Sequence, residues 1–210
     1  MKLKLFSFVA VGAALLGAAL IASHHESGHA KQANVGQPAP NFTLTSAAGN
    51  EHSLSDFAGK VVVLEWVNHS CPFVKKHYNS GNMQQLQQEY TDKGIIWLSI
   101  CSSAEGKQGY MEPAAIQQAR NSIGAKSTAY LVDASGDVGR AYGASATPEM
   151  YVINTDGTLV YHGAIDSKAT ADEADIEGAT NYVAQAIDAI MDGEEVPTAM
   201  TRAYGCSVKY

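Results

Sequence analysis

Val61-Val62-Val63-Leu64-Glu65-Trp66-Val67 passes without a break into Asn68-His69-Ser70-Cys71-Pro72-Phe73-Val74-Lys75-Lys76-His77-Tyr78, and the reading of this stretch decides the fold. Its first seven residues are a near-continuous, β-branched apolar run, the pattern of a strand buried on both faces. The chain then turns into a helix, and Cys71 stands at the transition. A thiol there faces the unpaired amides of the helix N-terminus, with Lys75, Lys76, His69 and His77 close in sequence, and all of these favour thiolate over thiol. The stretch therefore points to chemistry centred on one reactive cysteine. The opposing reading of Cys71 is a small buried hydrophobe, the common fate of a free cysteine.

Working outward, Gly94-Ile95-Ile96-Trp97-Leu98-Ser99-Ile100 reads as a second buried strand. Between the two strands Leu86 and Tyr90 fall at helical spacing, with a kink or restart expected at Asn79-Ser80-Gly81-Asn82. Strand, helix and strand in this order make a right-handed parallel unit. Residues 112–123 read as a helix opened by Glu112-Pro113 and closed by Gly124, and Thr128–Val132 as a third strand. Glu149–Ile153, the turn Thr155-Asp156-Gly157 and Thr158–His162 form a hairpin. A final helix is expected over 173–191, carrying Ile176, Tyr182, Val183, Ile187 and Ile190. Residues 193–210 contain Gly193, Pro197 and Gly205, show no helical period, and read as an arm lying on the domain. Upstream, Asn41–Thr45, the turn Ala48-Gly49-Asn50 and Ser53–Phe57 predict a short N-terminal hairpin and a helical turn.

The chain has 210 residues, 46% hydrophobic and 17% charged, and a formal charge of −7. One α/β domain with a full-sized core accommodates these values. Lys2 and Lys4 precede an uncharged apolar run over 5–22, and small residues follow at Ala22, Ser23 and Ala30, so residues 1–30 read as a signal peptide or, uncleaved, an N-terminal anchor. Residues 31–35 then read as a linker and 36–192 as the domain. Loss of residues 1–30 would leave 12 basic against 20 acidic groups, a charge of −8. An acidic surface without a basic stripe argues against a nucleic-acid partner. Export, periplasmic or secreted, places Cys71, Cys101 and Cys206 where disulfides persist, and three is an odd number. No Gly-rich phosphate loop and no Cys-X-X-Cys-His is present, so no nucleotide, flavin or haem cofactor is expected.

Four segments carry a resemblance to a known family: Val35-Gly36-Gln37-Pro38-Ala39-Pro40-Asn41-Phe42-Thr43-Leu44, Leu54–Val62, Asn68–Val74 and Tyr142-Gly143-Ala144-Ser145-Ala146-Thr147-Pro148-Glu149. Together they resemble the thioredoxin superfamily, and within it the peroxiredoxin-like redoxin branch, over about residues 35–192. The resemblance implies a thioredoxin-like fold, a central mixed sheet flanked by helices. Val74 stands where a thioredoxin has its second cysteine, and Leu64 and Asn68 stand where peroxiredoxins have the proline and the threonine or serine of their signature. Thr147-Pro148 resembles the cis-proline that in thioredoxins packs against the reactive sulfur.

The resemblance implies a thiol-dependent oxidoreductase with Cys71 as nucleophile toward a peroxide or a disulfide, served by a thiol reductant or a partner redox protein. Cys206, in Tyr204-Gly205-Cys206-Ser207, looks like the C-terminal resolving thiol of many peroxiredoxins, carried on a mobile tail; a free or structural Cys206 stays open. Cys101 ends an apolar strand and reads as a core residue, with a Cys71–Cys101 contact as the alternative. His69, Trp66 and Glu65 are expected to shape the site. Glu65 reads either as a carboxylate hydrogen-bonded at the strand end or as a proton acceptor near Cys71. A different class of function, a metal-carrying or thiol-binding module, would use His69, Cys71 and His77.

Overall fold

The computed structural model describes Met1 and residues 32–210. The expected signal or anchor segment and Lys31 of the linker fall outside the described residues. Among those residues no helix is long and apolar enough to cross a membrane. The rest of the expected linker is already part of the domain, since Ala33 is buried and its N–H donates to the Ala141 carbonyl at 2.9 Å.

Seven strands form the central sheet: β1 (Thr43–Ser46), β2 (Glu51–Ser53), β3 (Val62–Trp66), β4 (Ile96–Cys101), β5 (Ala129–Val132), β7 (Glu149–Ile153) and β8 (Leu159–Gly163), in the order β2-β1-β5-β4-β3-β7-β8. β3, β4 and β5 run parallel, while β7 pairs antiparallel with β3 and β8 with β7. The mixed sheet is the one the resemblance implies. β3 is buried at every residue because both of its faces are covered. Alternation along it sends Val63 into one core, which Val67 and Cys71 join beyond the strand's end, packed under α1 (Pro72–Asn79), α2 (Asn82–Asp92), α3 (Pro113–Ser122) and α5 (Tyr182–Asp192), and sends Val62, Leu64 and Trp66 into the other, beside α4 (Asp137–Tyr142). Large side chains such as Trp66, Trp97, Tyr130 and Tyr151 are fully enclosed.

The helix after β3 does restart, with Gly81 at φ +79° joining α1 to α2. Two elements differ from the sequence reading. The last helix begins at Tyr182 and not at 173, because Asn181 caps it by accepting the Ala184 N–H at 2.9 Å, and Glu173–Ile176 is a separate 3-10 turn. The helix α4 was not expected; Asp133 receives the N–H groups of Val138 and Gly139 at its start.

The segment 193–210 is an arm, yet it is not a loose tail. Its strand β9 (Cys206–Ser207) pairs antiparallel with β6 (Ala146–Thr147), Val208 N–H donates to Ser145 O, and Lys209 O accepts from Ala104 N–H. Extended backbone placed beside an unpaired strand edge satisfies both sets of amide groups, which explains why a stretch without helical period is nevertheless held.

Candidate active site

Cys71 is the N-cap of α1, with extended backbone and Pro72 at the first helical position, where a missing N–H costs nothing. Its side chain is wholly buried. As a thiol it donates to the carbonyl of Thr147 at 3.1 Å. Thr147-Pro148 is cis, as the resemblance implied, and Thr147 sits directly opposite Cys206 in the β6–β9 pair. Gly205 makes that approach possible: at φ +126° it lies in a region that L side chains avoid, and a Cβ there would overlap the Thr147 carbonyl oxygen.

The structure thus brings Cys71, Thr147, Pro148 and Cys206 together, with all three cysteines of the chain free. Burial acts to raise the Cys71 pKa, but donation from the Cys206 thiol, from the backbone N–H groups of Val74 and Cys206 and from Thr147 outweighs it, and the net shift is downward. Cys206 moves the opposite way, pushed up to about 11 by burial first and then by its role as donor to Cys71. The two shifts have opposite signs, the first favouring the thiolate at Cys71 and the second the thiol at Cys206.

The remaining expected site residues are placed elsewhere. Trp66 faces the opposite core, where its Nε1–H donates to Ser102 Oγ at 3.0 Å and its ring packs on Tyr142 and Tyr151. Glu65 shares the face of Cys71 but lies deeper along β3. Its carboxylate accepts from Tyr78 Oη at 2.9 Å, Trp97 Nε1 at 2.9 Å, Ser99 Oγ at 3.0 Å and Gln87 Nε2 at 3.1 Å, and Cys71 is not among its partners. Burial raises its pKa against these four donors. This is the hydrogen-bonded carboxylate reading, not the adjacent proton acceptor.

His69 turns away from Cys71 to stack on Tyr130 and meet the edge of Tyr78. Burial, helped by the Arg120 charge, lowers its pKa to about 4. His77 is likewise held at about 4 by burial, with Lys76 lowering and Asp166 raising it. Lys76 is itself buried and paired with Asp166 at 3.3 Å. Neither histidine carries charge at neutral pH, Lys76 is engaged elsewhere and Lys75 is exposed, so hydrogen bonds, among them one from the Val74 N–H of the first helical turn, and not nearby cations favour the Cys71 thiolate. Among the described residues no group of three or more His, Cys, Asp or Glu side chains is arranged to hold a metal, and His69, Cys71 and His77 do not converge. Cys101 is buried and donates to Gly109 O at 3.5 Å, apart from the Cys71–Cys206 pair.

Two neighbours of the thiol pair escaped the sequence reading. Tyr204 packs on Phe73 and donates to Asp166 Oδ1, with His77 Nε2 at 3.3 Å from its hydroxyl. Glu149, beside the cis-proline, ties down its strand by accepting from the N–H groups of Ser145 at 2.7 Å and Ala146 at 2.9 Å, while His162 Nε2 lies 2.6 Å from its other oxygen.

A family model for redoxins matches residues 34–180. The chain belongs to the redoxin family. It is 31% identical over 127 residues to the thiol-disulfide oxidoreductase ResA of Geobacillus kaustophilus (strain HTA426), covering 55% of this chain and 72% of that one. It is 29% identical over 94 residues to a phospholipid hydroperoxide glutathione peroxidase-type protein of Nicotiana tabacum, covering 45% of this chain, and it spans about half, 53%, of that relative's length. A crystal structure of a conserved protein from Geobacillus kaustophilus superposes with a TM-score of 0.72 at 27% identity, covering 84% of this redoxin and 92% of that chain. The redoxin matches both a disulfide-exchanging relative and a peroxidase-type one, so the assignment of its reaction turns on its own thiols.

Proposed function

We propose that this redoxin is an exported thiol-disulfide oxidoreductase in which Cys71 is the nucleophile and Cys206 the resolving thiol. The reading rests on one observation: Cys71, with its pKa lowered, and Cys206, with its pKa raised, act on each other across the Thr147 backbone. The Cys71 thiolate attacks one sulfur of a substrate disulfide, breaking its S–S bond and releasing one substrate thiolate that takes up a proton. Cys206 then loses its proton, attacks Cys71 Sγ, and expels the second substrate thiol. The substrate gains two electrons and two protons; the protein is left with a Cys71–Cys206 disulfide, which a thiol reductant or partner redox protein restores. The match to the ResA protein supports a disulfide as substrate, and the uncharged run over 5–22 supports export.

A hydroperoxide is the second substrate class, favoured by the match to the peroxidase-type relative. There Cys71 would take one peroxide oxygen to become a sulfenic acid, releasing alcohol or water, and Cys206 would displace water to give the same disulfide. Thiol trapping and mass spectrometry, before and after one equivalent of a protein disulfide or of hydrogen peroxide, tests both. A Cys71–Cys206 bond formed by the disulfide carries the proposal, and one formed only by peroxide selects the second reading. Three reduced thiols after both treatments would refute each.

A further inference from the structure

Cys71 has no exposed surface, so any outside disulfide must first reach a sulfur that the arm covers. The arm is tied on both sides of Cys206. On the α1 side, Tyr204 is fixed to Asp166 and Phe73. On the opposite face of the sheet, Tyr210 enters a slot in α4 whose dimensions depend on two glycines: a Cβ at Gly136 would fall 2.5 Å from its Cδ1, and one at Gly139 2.5 Å from its hydroxyl oxygen. The Tyr210 hydroxyl donates to Ala144 O at 2.6 Å, and the Arg140 guanidinium lies 4.7 Å from the ring centre. Burial first, and the nearby Asp133 charge, raise the phenol to about 12, so it remains a donor through the neutral range.

The wall of this slot is itself braced. Asp133 receives the Val138 and Gly139 N–H groups and the Ser102 hydroxyl, and Ser102 in turn accepts from Trp66. Three residues, Ser207, Val208 and Lys209, lie between Cys206 and Tyr210, and this backbone runs along 145–147 and against Ala104. Seating of the ring therefore fixes where Cys206 lies.

We propose that Tyr210 is a positioning residue: seated in the α4 slot, it holds Cys206 against Cys71 and shuts Cys71 off from solvent, and its withdrawal opens the site to a substrate disulfide. This rests on the reading of Cys71 and Cys206 as the working pair. Ordering cost saved by an anchored arm appears as effective concentration of one thiol at the other.

The first measurement is the rate at which iodoacetamide alkylates Cys71 in the native Cys206→Ser protein, read by mass spectrometry of the Cys71 peptide. Adding Tyr210→Ala should raise this rate about tenfold or more, and Tyr210→Phe, which loses only the bond to Ala144 O, should raise it less. Gly139→Ala approaches the slot from the other side: it favours the helix by propensity yet meets both the Tyr210 hydroxyl and the Ser102 hydroxyl that braces the slot wall, and it should raise the rate in the same direction. The second measurement, with Cys206 intact, is the equilibrium of the Cys71–Cys206 disulfide against glutathione, which Tyr210→Ala should weaken about tenfold. Unchanged alkylation in Tyr210→Ala and Gly139→Ala overturns the inference, as does lower global stability in urea with no change in either readout. If the parent forms no Cys71–Cys206 bond, the proposed function fails while the alkylation rates still decide the latch.

Discussion

Gly205→Ala isolates the geometry on which the thiol pair depends. The new Cβ would overlap the carbonyl oxygen of Thr147 and sit 3.5 Å from Phe73 Cβ, at a backbone φ of +126°. Such a conformation costs a non-glycine residue about 1–3 kcal/mol before the overlap is counted. Something must move, and the structure says which side yields. Thr147 belongs to a short strand pinned by Glu149 and followed directly by β7, an interior strand paired with β3 and β8. Around Cys206 the arm is held by a two-residue strand pairing, two further backbone bonds, the Thr147 hydroxyl and its tyrosine contacts, while Ala199 and Thr201 bind His162 and Ala164 separately. The arm gives way, so the cost appears as separation of Cys206 from Cys71 and not as loss of core stability. Between 1 and 3 kcal/mol is about five- to 150-fold in an equilibrium constant. The equilibrium of the Cys71–Cys206 disulfide with a glutathione buffer should therefore move by about tenfold to a hundredfold toward the reduced form, with the midpoint of urea unfolding nearly unchanged. An unaltered glutathione equilibrium, or a loss of global stability equal to the whole penalty, would refute this reasoning.

Further expectations follow from the buried titratable groups. His69 and His77, held at about 4 against an ordinary 6.5, bind protons in the unfolded chain before the folded one does. Stability contributed by their neutral forms is complete above about pH 6.5 and is lost as pH falls toward 4, by at most about 3 kcal/mol for each; urea unfolding between pH 7 and 4.5 measures it, and an identical pH slope in His77→Gln would count against it. Glu65, with its pKa raised, has the opposite sign, since its contribution is present at low pH and lost as pH rises through the folded pKa. Glu65→Gln should flatten that part of the profile and leave the pH dependence of Cys71 alkylation in place, whereas a displaced alkylation profile would restore the proton-acceptor role. Cys206→Ala removes a donor to the Cys71 sulfur and should move Cys71 alkylation to higher pH, read from rate against pH; an unmoved profile would mean that Cys206 does not act on Cys71.

The sequence made the sheet legible where burial alone dictates it. A run such as Val61–Val67 has no polar face to show water, so it reads as an interior strand whatever surrounds it. In the sequence Ile176 extends the apolar period of Tyr182, Val183 and Ile187 backward across Gly178 and lengthens the expected last helix, while Asn181, a good N-cap, stands at the true start. Helix α4 has six residues and a glycine at its third position, too short for a period to be seen. Within the site, Cys71, Thr147, Pro148 and Cys206 were legible from local motifs. Trp66 and His69 are close to Cys71 in sequence and not in the site, and strand alternation alone puts Trp66 on the face opposite Val63 and Val67. The Lys76–Asp166 pair and the Tyr210 slot join residues far apart in the chain, and no local pattern carries such contacts.

The opposed pKa shifts impose an order on the two thiols. Part of what raises Cys206 is its hydrogen bond and charge interaction with Cys71, and the rest is burial, opposed by the Lys209 charge. Once Cys71 has attacked a substrate its sulfur is bonded and uncharged, so the interaction that kept the Cys206 proton in place is gone. On the proposed mechanism Cys206 would become easier to deprotonate only after the first step, which would keep the wrong sulfur from attacking first. Cys71→Ser imitates that neutral state. In it Cys206 should be alkylated at lower pH than in the reduced parent, with its pKa falling from about 11 part of the way toward the ordinary 9, the burial contribution remaining. If Cys206 titrates identically with Cys71 present and replaced, the two thiols are not coupled, and the sequence of attack and resolution would have to be set by access alone.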